Sequence, residues 1–201
     1  MTAVSGSDGR LRCGWAISST EYEAYHDLEW GRPVVGDQAL FERISLEAFQ
    51  SGLSWITILR KREAFRAAFA GFDPQAVAAF DDDDVARLLS DAGIVRNRAK
   101  ILATISNARA LLALPEGMTL AGVLESHRPP PKAAPESLAD VPAVVPESIA
   151  LAKKLRSLGF RFVGPTTAYA MQQATGYVND HLASCWVRND AAGPFHVAET
   201  A

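Results

Sequence analysis

The chain of 201 residues is poor in cysteine, in long apolar runs and in net charge, and each shortage closes off a class of protein. Two cysteines, Cys13 and Cys185, are too few for a disulfide scaffold and too far apart in sequence for a local metal knuckle. Apolar stretches such as Ala76 to Phe80 and Ala110 to Leu114 fall well short of the roughly 18 residues that cross a bilayer. No charged-then-apolar signal segment opens the chain, so a soluble, cytoplasmic protein without membrane contact is expected. A net charge of -3 argues against coating nucleic acid through bulk charge, which moves attention to how charge is distributed. At 48% apolar and 21% charged residues the chain is not disordered, and its length suits one domain or two small lobes sharing a core.

Three windows are locally basic: Arg60, Lys61, Arg62 and Arg66; Arg96, Arg98, Lys100 and Arg109; Lys153, Lys154, Arg156 and Arg161. The acid lies elsewhere, notably in Asp81 to Asp84, where it reads as a helix start before Val85, Leu88 and Leu89. Helical periodicity with caps recurs along the chain. Asp37 as N-cap precedes Leu40, Phe41, Ile44 and Ala48, with Gly52 as the stop. Further helices are predicted from Trp55 to Ala70, after Asp73-Pro74, over 82–91, 97–112, 146–158 and 165–175, and from Asn179 to Trp186. Six of the eleven prolines fall in 128–146, which is a crossover rather than an element. Nothing between 37 and 112 alternates like a strand, and the predicted fold is all-α.

Four features bear on chemistry. His181-x-x-x-Cys185 puts two ligand-capable side chains on one face of the predicted last helix, and Cys13 and His26 flank an aromatic segment near the other end. Together they form either a tetrahedral Cys2His2 metal set with no open position or two core cysteines and two ordinary histidines. Trp15, Tyr22, Tyr25, Trp30 and Trp55 are either a pocket that stacks a flat ligand or an aromatic mini-core. Glu47 lies about 20 degrees from Leu40 and about 60 degrees from Ile44 around the helix, at the edge of the apolar stripe, while Glu42 and Arg43 point elsewhere. It is a buried, ligand-binding carboxylate or a boundary glutamate reaching solvent. Finally, Leu88 to Ile101, with Gly93 at a tight turn followed by Arg96, Arg98 and Lys100, is a helix-hairpin-helix that grips phosphate or a plain helical hairpin.

Several strings taken together resemble the type I, constitutive 3-methyladenine DNA glycosylases. They are Arg12-Cys-Gly-Trp15, Tyr25-His-Asp-x-Glu-Trp30-Gly, Leu46-Glu-Ala-Phe-Gln-Ser-Gly-Leu-Ser-Trp55-Ile-Thr, Asp91-Ala-Gly-Ile, Gly159-Phe-Arg-Phe-Val-Gly-Pro165-Thr and Gly176-Tyr-Val-Asn-Asp-His181. The resemblance runs from residue 12 to about 186. It implies a single helix-hairpin-helix glycosylase domain over 12–188, with one helical lobe over 37–127 and a second from 12–36 and 146–188. Residues 1–11 and 189–201 are left as tails. It also implies a structural zinc held by Cys13, His26, His181 and Cys185, clipping the N-terminal segment to the C-terminal helix.

By the same resemblance, Glu47 hydrogen-bonds the extruded base, Tyr25 and Trp55 stack on or border it, and Trp15, Tyr22 and Trp30 surround them. Gly52-Leu53 presses into the gap left in the duplex, and the hairpin around Gly93 with Arg96, Arg98 and Lys100 holds the backbone. The implied activity is monofunctional excision of N3-methyladenine from double-stranded alkylated DNA, by a monomer that releases 3-methyladenine and leaves an abasic site. No general base and no Schiff-base lysine are assigned. Ala99 stands where relatives can carry glycine, and His127 and His196 receive no role. A zinc-clipped damage binder without turnover is the competing class. A zinc hydrolase is excluded, since a Cys2His2 set leaves no coordination position open.

Overall fold

Capping chemistry sets most of the helix boundaries in the computed structural model, which describes residues 1–190. Ser19 Oγ accepts from the Tyr22 amide to start α1 (Thr20–Leu28), a helix that carries no regular apolar stripe and was not legible from periodicity. Helix α2 (Asp37–Gln50) buries Leu40, Phe41, Ile44, Leu46 and Phe49, and Gly52 follows its end with φ 79°. Next come α3 (Trp55–Ala68), α4 (Pro74–Ala78) capped by Asp73, and α5 (Asp82–Ser90), where Asp81 and Asp84 form a reciprocal capping box. Asn97 caps α6 (Arg98–Leu112), and α8 (Pro146–Ser157) and α9 (Pro165–Ala174) each begin on proline, as the sequence predicts.

Three features depart from the sequence reading. Asp37 does not cap its own helix: its two carboxylate oxygens accept from the Leu120 and Ala121 amides at 3.0 and 3.1 Å, capping α7 (Leu120–Glu125), a helix too short to show a periodic stripe. The predicted helix over 179–186 is absent. Asn179 Oδ1 turns back onto the His181 amide, and Arg188 Nη1 donates to the Asn179 and His181 carbonyls at 3.0 and 2.6 Å, where helical amides would otherwise sit. The chain there runs as turns, so His181 and Cys185 meet without a helix between them. Residues 1–11 include β1 (Ala3–Ser5), paired antiparallel to β2 (Leu11–Cys13), which makes the fold all-α apart from one short hairpin. His196 lies outside the described residues.

One apolar core runs from Leu40 on α2 to Met171 on α9 and includes a file of rings in which Phe65, Phe69 and Phe72 stack and Phe49 packs on Phe65 at a tilt of 53°. Helix α2 is its axis, packing on α3, α6, α7 and α9. Burial of so many full side chains at about 25 cal/mol per Å² makes this the dominant stabilising element. A second, smaller cluster gathers Cys13, Leu182, Cys185 and Val187 beside the hairpin. Candidate site residues belong to or pack on both clusters: Cys13, Cys185 and Trp15 on the second, Trp55 on the first.

Candidate active site and metal centre

The C-terminal half of α2 faces α9, and α1 closes one side, so a cavity of about 480 Å³ opens among aromatic rings. Its lining includes Trp15, Tyr22, Tyr25, Trp30, Glu47 and Trp55, all of the aromatic and acidic residues the sequence set apart. Tyr25 and Trp55 stand 5.5 Å apart between ring centroids at a tilt of 43°. Trp15 packs edge-on to Tyr22 at 5.7 Å and to Trp30 at 5.2 Å. The Tyr22 hydroxyl accepts from the Ile56 amide at 2.9 Å, which ties α1 to the first turn of α3 and satisfies one of that helix's unpaired donors.

Glu47 is 6% exposed and, among the described residues, its carboxylate has no hydrogen-bond partner. Burial raises its pKa to about 7, opposed by Arg43 one helical turn earlier. Arg43 does not point away, as the sequence reading had it. It is buried, donates to the Tyr25 hydroxyl at 3.1 Å, and holds its guanidinium 5.5 Å from the Tyr25 ring and 5.9 Å from the Trp55 ring. Burial works against its charge, yet Tyr25, Glu47 and Glu29 around it keep Arg43 protonated. The i, i+4 spacing of Arg43 and Glu47 was the signal that would have found it. Gln50, Gln173, Gly14 and Met1 also line the cavity and were not singled out.

Cys13, His26, His181 and Cys185 are brought together, all buried, with their ligand atoms within 4.8 Å of one another. His26 Nε2 lies 3.2 Å from His181 Nδ1, and Cys185 Sγ lies 3.4 and 3.6 Å from these two nitrogens. A tetrahedral ion with Zn–S near 2.3 Å and Zn–N near 2.0 Å requires separations of about 3.3 Å between nitrogens and about 3.5 Å between sulfur and nitrogen. The set therefore fits such an ion. The far nitrogens are oriented too: His26 Nδ1 bonds Asp27 Oδ1 at 2.7 Å and His181 Nε2 bonds the Trp30 carbonyl at 3.2 Å, which directs His26 Nε2 and His181 Nδ1 toward the two sulfurs. Hydrogen bonding to the Cys185 sulfur and burial push the Cys13 thiol up, while Cys185 is pulled down by Cys13 and both histidines. The centre abuts the cavity, since Trp30 packs on the His181 ring at 4.6 Å and Trp15 on the His26 ring at 5.2 Å.

The expected DNA-contacting residues divide. Leu53 is 39% exposed on the short loop between α2 and α3, where Gln50 Nε2 donates to its carbonyl at 2.9 Å beside the cavity mouth. Arg96 and Arg98 are exposed. Gly93 is required for packing, because a Cβ there would come 3.0 Å from Ala64 Cβ, and its amide is taken by Asp91 Oδ1 at 2.7 Å. Lys100 is a correction: it is buried, and its ammonium donates to the carbonyls of Phe49 and Ser51 at 2.8 and 2.6 Å, closing the C-terminus of α2. Of the first basic window, Arg60, Arg62 and Arg66 pair with Glu21, Glu29 and Glu42.

Comparison with known proteins agrees with this geometry. Residues 15–189 match the methyladenine glycosylase family model. DNA-3-methyladenine glycosylase 1 of Escherichia coli (strain K12) is 47% identical over 178 residues, 87% of this chain and 95% of that protein. DNA-3-methyladenine glycosylase of Haemophilus influenzae is 43% identical, with 87% of this chain and 96% of that protein covered. A crystal structure of 3-methyladenine DNA glycosylase I superposes with a TM-score of 0.84 at 48% identity, covering 87% of this chain and 98% of that one. The Staphylococcus aureus enzyme, solved to explain 3-methyladenine recognition, superposes at 0.82 with 33% identity, covering 87% of this chain and 94% of that one. With the family model spanning nearly the whole chain and relatives this similar, the chain belongs to the methyladenine glycosylase family.

Proposed function

We propose that this chain is a DNA-3-methyladenine glycosylase that hydrolyses the N-glycosidic bond of N3-methyladenine in alkylated double-stranded DNA and leaves an abasic site. The observation that carries this reading is Glu47: a buried carboxylate without a hydrogen-bond partner among the described residues, facing a cavity walled by tryptophan and tyrosine. A flat, cationic base extruded from the duplex is the ligand such a site is complementary to. Methylation at N3 places positive charge on the base and weakens its bond to the sugar, so the leaving group departs with modest help. Tyr25 and Trp55 border the base, Arg43 holds the Tyr25 hydroxyl in place, and Glu47 accepts a hydrogen bond from the base. Water then attacks an oxocarbenium-like sugar. No residue is assigned as general base. No lysine is assigned as a Schiff-base nucleophile, and Lys100, at the end of α2, is committed to two carbonyls, so no lyase step is expected.

The Cys2His2 set holds zinc in a structural role, supported by thiolate and imidazole donors at tetrahedral separations and by the lack of any open position. Cys13, His26, His181 and Cys185 would then join the hairpin and α1 to the segment after α9. Gly52 and Leu53 fill the gap in the duplex, and Arg96 and Arg98 with the turn at Gly93 contact its backbone, while the Lys100 ammonium does not. The protein works as a cytoplasmic monomer. No helix among the described residues is long and apolar enough to cross a membrane. The test is release of free 3-methyladenine from methylated duplex DNA by the purified protein, with 7-methylguanine monitored alongside. Release of 3-methyladenine is expected; release of neither base with DNA binding intact would make the protein a damage binder instead.

A further inference from the structure

Opposite Glu47, the cavity wall contributed by α9 contains a side-chain amide whose orientation is dictated from behind. Gln173 lines the cavity, and its Nε2 donates to Asp180 Oδ2 at 2.8 Å. A carboxylate only accepts, so the NH2 group must face Asp180 and the amide oxygen must take the other position. Asp180 is itself held. The Tyr169 hydroxyl donates to the same Oδ2 at 2.6 Å, Lys132 Nζ pairs with Oδ1 at 2.8 Å, and Lys132 also donates to the Tyr169 oxygen at 3.0 Å. Asp180 is buried, so this charge is compensated inside the protein and stays where it is. Among the described residues Gln173 Oε1 has no hydrogen-bond partner.

We propose that Gln173 is a second specificity-determining residue of the base pocket, with its Oε1 accepting a hydrogen bond from the exocyclic amine of the bound purine and Asp180 acting as its positioning residue. The inference rests on the reading of this cavity as the base pocket. A glutamine free to turn would offer a donor or an acceptor as needed and select nothing. One clamped by a buried carboxylate keeps its nitrogen turned to Asp180 and its oxygen fixed as the acceptor at the other position. A purine that carries a carbonyl in place of the amine, such as 3-methylguanine, then meets acceptor with acceptor, and an unpaired buried pair of this kind discriminates more strongly than a shape difference does. Glu47 on α2 and Gln173 on α9 are two acceptors on facing helices, which suits an exocyclic amine with its two N–H donors.

The test is Gln173→Met, which keeps the length of the side chain and removes the acceptor, in the full chain with its metal. Binding of free 3-methyladenine and of 3-methylguanine is followed by quenching of tryptophan fluorescence, with thermal midpoint and metal content measured in parallel. The expected result is an affinity for 3-methyladenine about tenfold lower, little change or a gain for 3-methylguanine, and a modest fall in thermal midpoint from the lost bond to Asp180, with metal content unchanged. Unchanged affinity for 3-methyladenine, or an equal loss for both bases, would overturn the assignment while leaving the glycosylase reading intact, since the wild-type chain would still bind its base. Failure of the wild-type chain to bind either base would overturn both.

Discussion

Glu47 illustrates at the residue scale how one side chain trades stability for chemistry. Its pKa stands near 7 because burial disfavours the charged form, whereas in the unfolded chain it returns to about 4.5. Between these values the folded state holds a proton that the unfolded state has lost, so its contribution to stability falls as pH rises from about 4.5 to 7 and the cost persists above that. Glu47→Gln is therefore expected to raise the stability of the free protein above pH 7, by up to about 3 kcal/mol, and to leave it nearly unchanged below pH 4.5. The same variant is expected to lose most excision of 3-methyladenine. Thermal melts from pH 4 to 8 check the first statement and base release the second. A variant that melts below the wild type at pH 8 would make Glu47 a structural residue. Burial of Glu47 could be suspected from its helical phase, since the position borders an apolar stripe. That its carboxylate has no hydrogen-bond partner among the described residues could not, because the answer depended on where the residues around it, Arg43 included, were directed.

Several side chains at the element scale are spent on holding helices rather than on contacting a ligand. Lys100 sits on α6 yet closes the end of α2, 51 residues away along the chain. Lys100→Met is expected to lower stability by about 1–3 kcal/mol, because it leaves two carbonyls without their donor, and to leave the salt dependence of DNA binding unchanged. Arg98→Gln is the contrasting case. It should leave the melting midpoint within experimental error and weaken DNA binding across all sequences, reducing the slope of log K against log salt by about 1. Denaturant unfolding and a salt titration of duplex binding separate the two. Asp37 acts at still longer range, capping α7 across 83 residues, and Asp37→Ala is expected to cost about 1 kcal/mol in the same unfolding experiment. Helices with local signals, such as the Asp81–Asp84 capping box of α5 or the Asn97 cap of α6, were legible from sequence. Helix α1 was not, because its buried residues, Tyr25 and His26, face the aromatic pocket and the metal centre instead of forming a stripe.

The whole molecule is organised around the proximity of metal centre and pocket. Trp15 and Trp30 pack on His26 and His181 on one side and line the cavity on the other, so the ligand set supports the pocket wall directly. Asp27 adds a further tie: burial works against its charge, but hydrogen bonds from Arg12 and His26 hold it below the usual carboxylate range. Cys185→Ser is expected to release the metal, lower the melting midpoint by about 10 °C and reduce activity only as far as folding is lost. Melting curves with metal analysis check this, and unchanged values for both would refute the structural role. The sequence by itself determined most of the helices with their own caps, the four residues of the buried Cys2His2 cluster, and the aromatic residues and Glu47 of the cavity wall, because caps and periodicity act within a few positions and the motif strings keep their spacing. Only the tertiary structure decided which polar groups face which. Arg43, Asp37, Lys100 and Gln173 each found a role through partners brought near by packing, and the segment after Asn179 gave up a helix because Arg188 and Asn179 satisfied its backbone first. A buried polar group must be paired wherever the fold allows, and that choice is made by three-dimensional proximity, which a local pattern does not carry.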